Sequence, residues 1–246
     1  MKITDYYFQT SKASLNSSIL FLFPAILLIA YNILFMNNKQ AMLLILPFII
    51  GSIVYFNVHL VNHKRAVGST HDFGACQEHI LKVNHILVFY EAKLKPGLFL
   101  FSAYGIKIAE LRRISPGIFF FRQKFELTDG QSGLIARYIL TQKGIVVYDS
   151  MGLSLGGLCK SREGWTFTAG GTAIASIDSS RFFMDLKIVG EKFGQAGRLR
   201  RGMMPMGWTA FSADPNAPVF TLDPRLADED RLLFLAVLIK EFFVER

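Results

Sequence analysis

Two cysteines in 246 residues, Cys76 and Cys159, are too few for a disulfide framework. Both are read as thiols in a reducing compartment, so packing must hold the chain together. Familiar reaction chemistry is missing as well. There is no Walker loop, no G-x-S-x-G elbow, no H-E-x-x-H and no paired-carboxylate motif in a recognisable context. The expectation is therefore a non-enzymatic protein with no cofactor. Acidic residues are scarce, 19 against 27 Lys and Arg, for a net charge of +8. Basic charge alone gives only non-specific affinity for nucleic acid, and no helix carries a basic reading face, so nucleic acid is set aside as a partner. What the chain has in excess is apolar surface: 51% hydrophobic residues and a mean hydropathy of +0.33, above the usual globular share.

Most of that excess is concentrated near the N-terminus. Residues 19–36 run without a charge, as do residues 41–61, and a bilayer core needs about 20 helical residues to cross. A cleaved signal peptide is the other reading of the first run. The long segment before it, with Lys2, Asp5 and Lys12, argues against that, as do the absence of an A-x-A site after Met36 and the second run that follows at once. The organisation expected is an N-terminal segment 1–18, a transmembrane hairpin 19–61 and a juxtamembrane linker 62–85. The connector Asn37-Asn38-Lys39-Gln40 is short enough to force antiparallel helices. Lys2, Lys12, Lys64 and Arg65 flank the hairpin, against Lys39 in its loop, which places both termini in the cytoplasm by the positive-inside rule.

All five histidines fall between His59 and His85. His59 and His63, four apart, share a helix face. The run "HDFGACQEH" gathers His71, Cys76 and His79, residue types that hold zinc or haem, but at a spacing that matches no metal motif. No metal site is assigned; these three are its weak candidates, and a solvated linker is the simpler reading.

From residue 86 the period changes. Short apolar runs are cut by Pro96-Gly97, Gly105, Asp129-Gly130, Lys143-Gly144 and Met151-Gly152, the punctuation of strands and tight turns. Phe182, Met184, Leu186 and Ile188 alternate with Phe183, Asp185, Lys187 and Val189 at period two. The fold class expected for residues 86–246 is mainly β, with about 10–12 strands at sandwich or barrel spacing and a C-terminal helix over 226–245.

That closing stretch, "DEDRLLFLAVLIKEFFVER", decides the architecture. Asp228-Glu229-Asp230 suits a helix N-terminus. The run from Arg231 to Val244 spans about 21 Å at ~1.5 Å per residue and carries two charges inside it, so it is too short to cross a bilayer. Residues 232–239 have no polar stripe, and a helix apolar all round is buried on every side.

With "KFELTDGQSGLIARY" (124–138) and "IVVYDSMGLSLGGL" (145–158), this stretch resembles the tubby C-terminal-like superfamily, which includes LURP-one-related and phospholipid scramblase proteins. The resemblance covers roughly residues 86–246. It implies a closed antiparallel barrel around a hydrophobic terminal helix. The chain departs from the scramblase pattern by carrying its spans at the N-terminus, which puts lipid translocation in doubt. The competing architecture is a pleckstrin-homology-like domain, whose helix caps an open barrel with one apolar face and which needs only about a hundred residues.

"VGEKFGQAGRLRRGMMPMGW" supplies the candidate binding residues. Lys192, Arg198, Arg200, Arg201 and Trp208 are read as a Gly-punctuated basic loop beside three methionines, a composition that suits an anionic phospholipid surface. From Tyr90 to Arg246 there are 21 Lys and Arg against 16 Asp and Glu, so the domain itself is basic. The plainer reading is a solvated hairpin loop. The function expected is a membrane-anchored cytoplasmic binding module for anionic headgroups or an unknown protein partner. A scramblase-like lipid transporter is the alternative.

Overall fold

The structure is a computed structural model that describes residues 1–36, 38, 40–68, 79–91, 96–115, 123–161, 164–179, 184–190, 194–202, 214 and 216–245. The chain forms two compact units, one around the N-terminal helices and one around the β domain.

In the first unit, α1 (Ile3–Tyr31) ends in a π-helical turn (Asn32–Met36), and a 3-10 turn (Ala41–Ile45) leads into α2 (Leu46–Gly68). Both helices are long and apolar enough to cross a membrane. Residues 3–18 are helical and continuous with the first apolar run, and α2 passes seven residues beyond Val61. The buried positions of α1 are Ile3, Tyr7, Ser11, Ser14, Ser18 and Ala25, a stripe at steps of three, four and seven. Those of α2 include Ser52, Asn62 and Ala66. Ser18 Oγ lies 3.0 Å from Ser52 Oγ, and Ser11 Oγ lies 2.8 Å from His59 Nδ1. Because 18 meets 52 while 11 meets 59, the helices run antiparallel. Small side chains at the seam let the backbones approach. The outward faces are the reverse of a water-soluble helix pair: Leu20, Phe23, Leu27 and Leu34 are all more than half exposed.

In the second unit, twelve antiparallel strands close into a barrel: β1 (His85–Glu91), β2 (Gly97–Phe101), β3 (Lys107–Ser115), β4 (Gln123–Asp129), β5 (Leu134–Thr141), β6 (Gly144–Asp149), β7 (Ser154–Lys160), β8 (Trp165–Ala169), β9 (Thr172–Ser179), β10 (Asp185–Gly190), β11 (Gly194–Arg200) and β12 (Val219–Leu222). Each strand pairs with its neighbour in sequence, and β1 closes on β12 through His85↔Thr221 and Leu87↔Val219. A closed barrel has no edge strand. The strand count lies at the top of the range expected from the sequence.

The turns depart from expectation in one place. Gly144 and Gly152 take positive φ as anticipated, but at Asp129-Gly130 the left-handed residue is Ser132, at φ 70°. Asp129 Oδ1 accepts bonds from the Gln131 and Gly133 amides, and that side-chain turn sets the loop. Gly144 is required for a second reason: a Cβ there would sit 2.1 Å from the Leu158 carbonyl oxygen on the next strand.

Inside the barrel runs the C-terminal helix, as α3 (Asp228–Phe234), α4 (Ala236–Ile239) and a π turn (Lys240–Val244). Every residue from Leu232 to Ile239 is buried, packed among inward side chains such as Val88, Leu100, Phe125, Val147, Phe167, Ile188 and Phe220. Tyr138 Oη donates to the Leu232 carbonyl at 2.9 Å, beside the break between α3 and α4, and its burial pushes the phenol pKa up. At the end where the helix begins, buried Arg231 donates to the Val83, Asp223 and Leu226 carbonyls and to Asn84 Oδ1, closing that mouth with neutral acceptors.

Candidate functional site

With its interior filled, the barrel offers an outer wall and two ends. Strand alternation puts the ends of β2, β4, β6, β8 and β10 at the proximal end, with the start of the helix, and the ends of β1, β3, β5, β7, β9 and β11 at the distal end, with the helix terminus.

Among its described residues the basic segment is mostly strand. Arg198 and Arg200 belong to β11, in the wall between β10 and β12. Arg201 follows that strand at the distal end, so Arg198, Arg200 and Arg201 do not share a loop. A bulge explains why the pattern hid the strand. Ile188 pairs with Gly197 and Val189 with Gln195, leaving Ala196 as an extra residue that disrupts the period of two. Lys192, Trp208, His71 and Cys76 lie outside the described residues.

Arg198 and Arg200 both face outward. Arg198 is opposite Lys187, and Arg200 is opposite Asp185. Arg198 reaches diagonally to Asp185 in a two-pronged bond, Nε to Oδ1 and Nη2 to Oδ2, both 2.7 Å. That hydrogen bonding holds the Asp185 carboxyl below its usual pKa and raises the Arg198 guanidinium. Arg198 is thus neutralised locally; Lys187, opposite Asp178 on β9, and Arg200 share the same outer wall, and exposed Arg201 follows the strand. Arg201 N donates to the Met184 carbonyl at 2.9 Å.

At the distal end a cavity of about 290 Å³ opens between β1, the approach to β12 and the helix terminus. Tyr90, Phe242, Arg201, Asp214, Glu241 and Glu245 are among its walls. Beside it Lys240 is buried, with Nζ 2.5 Å from Glu245 Oε2 and 3.6 Å from Glu241 Oε2. Trp165 Nε1 donates to Glu245 Oε1 at 2.9 Å. These three side chains bind the end of the helix to the rim.

His79 accepts from the Leu81 amide and starts a 3-10 turn before β1. It borders a shallow 200 Å³ hollow at the proximal end with Lys107 and Asp129. Among the described residues no three His, Cys, Asp or Glu side chains are placed to hold a metal ion. Cys159 is an exposed free thiol. In the hairpin the polar residues are used locally. Asn57 donates to the Ile53 carbonyl of its own helix, Asn32 Oδ1 accepts from the Asn38 amide, and His59 bonds Ser11. Ser11 is buried and His59 half-buried in that pair.

No protein-family model and no curated protein matches the sequence. Among solved structures, the fold is similar to an X-ray structure of a protein from Arabidopsis thaliana. The two are 13% identical, with 71% of this chain and 100% of that one covered and a TM-score of 0.46. A likeness that small says nothing of activity.

Sequence reasoning missed the distal cavity. Trp165 and Glu245 are 80 residues apart, and no local signal joins them. Asp185 was legible as the acid opposite the arginines, had β11 been read as a strand.

Proposed function

We propose that this chain is a membrane-anchored binding module: a two-span hairpin carrying a tubby-like barrel, cytoplasmic at both termini, that engages lipid headgroups. The observation that carries this reading is the inverted polarity of the hairpin. Ser11, Ser18, Ser52 and Asn62 are buried between the helices while large apolar side chains face outward. In water that surface would be a severe aggregation liability; in lipid it is the ordinary arrangement. The threading of an apolar helix through a twelve-stranded closed barrel supports the tubby-like placement. A pleckstrin-homology-like helix would have kept a polar face. With the interior occupied, ligands meet the outer wall and the ends, where Lys187, Arg200 and Arg201 favour anionic headgroups at about 1 kcal/mol per cation near the surface.

The full chain in nanodiscs of neutral phosphatidylcholine tests this. Such discs should capture acidic phosphatidylserine vesicles at low salt and release them as salt rises, because the attraction is screened over ~8 Å at physiological ionic strength. Replacing Arg200 and Arg201 by Ser should weaken capture. Equal capture of neutral vesicles, or none, would make a protein partner the better reading. Lipid translocation, followed with a labelled lipid in reconstituted vesicles, would favour the transporter reading instead.

A further inference from the structure

We infer that the distal cavity is a binding site for a small zwitterion in which an ammonium group is tethered to an anionic group, as in phosphoethanolamine. At about 290 Å³ the space matches a headgroup or metabolite and lies just below the range of drug-sized pockets. Its walls carry both signs of charge. Asp214, Glu241 and Glu245 supply carboxylates and Arg201 a guanidinium, while the Lys240 ammonium is already committed to Glu245 and Glu241. Counting Lys240, the described residues of the site carry one net negative charge.

A simple anion would approach three carboxylates to reach one arginine, and that like-charge cost excludes it. A ligand bearing a cation at one end and an anion at the other satisfies both parts of the wall. Its ammonium would lie toward Glu241 and Asp214, with Tyr90 and Phe242 as aromatic surface that favours an organic cation. Its phosphate or carboxylate would lie toward Arg201. Glu245 is held by both Trp165 and Lys240, and the Arg201 backbone is tied to Met184.

The ligand could come free in solution or as the headgroup of an aminophospholipid. In the second case the inference rests on the headgroup reading above; in the first it stands without it. Calorimetric titration of the full chain in phosphatidylcholine nanodiscs should show binding of phosphoethanolamine and much weaker binding of inorganic phosphate. Glu241→Gln should weaken phosphoethanolamine about tenfold, the ordinary loss for one charge-assisted bond. Asp214→Asn is a second variant, away from the helix terminus, and should act in the same direction. Neither change touches Arg200, so capture of acidic vesicles should persist in both.

Capture of neutral vesicles doped with phosphatidylethanolamine, lost in Glu241→Gln, assigns the lipid as the source. Binding of soluble phosphoethanolamine without vesicle capture assigns a free metabolite. If inorganic phosphate binds as tightly as phosphoethanolamine, or if both variants bind like the parent, the ammonium assignment is wrong. No heat with phosphoethanolamine overturns the site altogether, whatever the acidic vesicles do.

Discussion

Arg198 shows how much a single side chain's meaning depends on its strand partner. As a loop cation its removal would leave stability untouched. As the diagonal partner of Asp185 across β10 and β11, Arg198→Ser should cost about 0.5–1 kcal/mol in urea unfolding at neutral pH, the upper range for a partly exposed ion pair. The pH dependence has a definite sign. Asp185 has its pKa lowered in the folded protein by Arg198, so its contribution is fully present above the ordinary carboxylate value near ~4. It is lost as pH falls through the lower folded value. The difference between parent and Arg198→Ser should therefore shrink in unfolding curves taken at pH 3, and a difference that grew there would refute the pairing. The charges at this site were legible in the sequence. Their pairing was not, because the extra residue Ala196 and the neighbouring glycines made a strand look like a loop.

Among the elements, the C-terminal helix was the most legible, because an apolar surface all round admits few environments. Leu235→Asp places an unpaired carboxylate where the side chain is 2% exposed, and should cost more than about 4 kcal/mol. The near-ultraviolet dichroism of the barrel should collapse while helical insertion into lipid vesicles survives. A native-like melt would mean that the helix does not fill the barrel. The sequence misled at one point on the same helix. Lys240-Glu241 read as an interruption of the apolar run, yet Lys240 is buried. A π turn brings residues five apart together, so that Glu245 lies beside Lys240 in a way that α-helical spacing would not have suggested. The hairpin was equally plain in its apolar runs. Its serine seam was not, because residues 9–18 read as a polar terminus until α2 was seen lying against them.

For the whole molecule, the β period and the turn residues reached a sandwich or barrel with a buried helix, and the resemblance to the tubby-like superfamily implied its closure, without any reaction motif. The distal cavity escaped because its walls come from β1, the approach to β12 and the last turn of the helix, distant in sequence and joined only by closure. The helices of the hairpin run antiparallel, and the proposal that both termini are cytoplasmic rests on its Lys and Arg flanks. A reporter active only in the cytoplasm, fused after Arg246, should be active. A silent but well-expressed fusion would reverse the orientation and reopen the pairing of Cys76 with Cys159.

The threaded helix also sets a schedule for synthesis. The ribosome releases the hairpin first, then twelve strands, and last the segment that fills their centre. Until residues 228–244 have emerged, the strands have nothing to close around, and the β1–β12 seam must wait for the end of translation. A nascent or prematurely stopped chain is therefore an open sheet with two unpaired edges and an uncovered apolar face. Quality control would meet this protein mainly in that form, and a stop codon before Asp228 should give a degraded product rather than a shortened barrel.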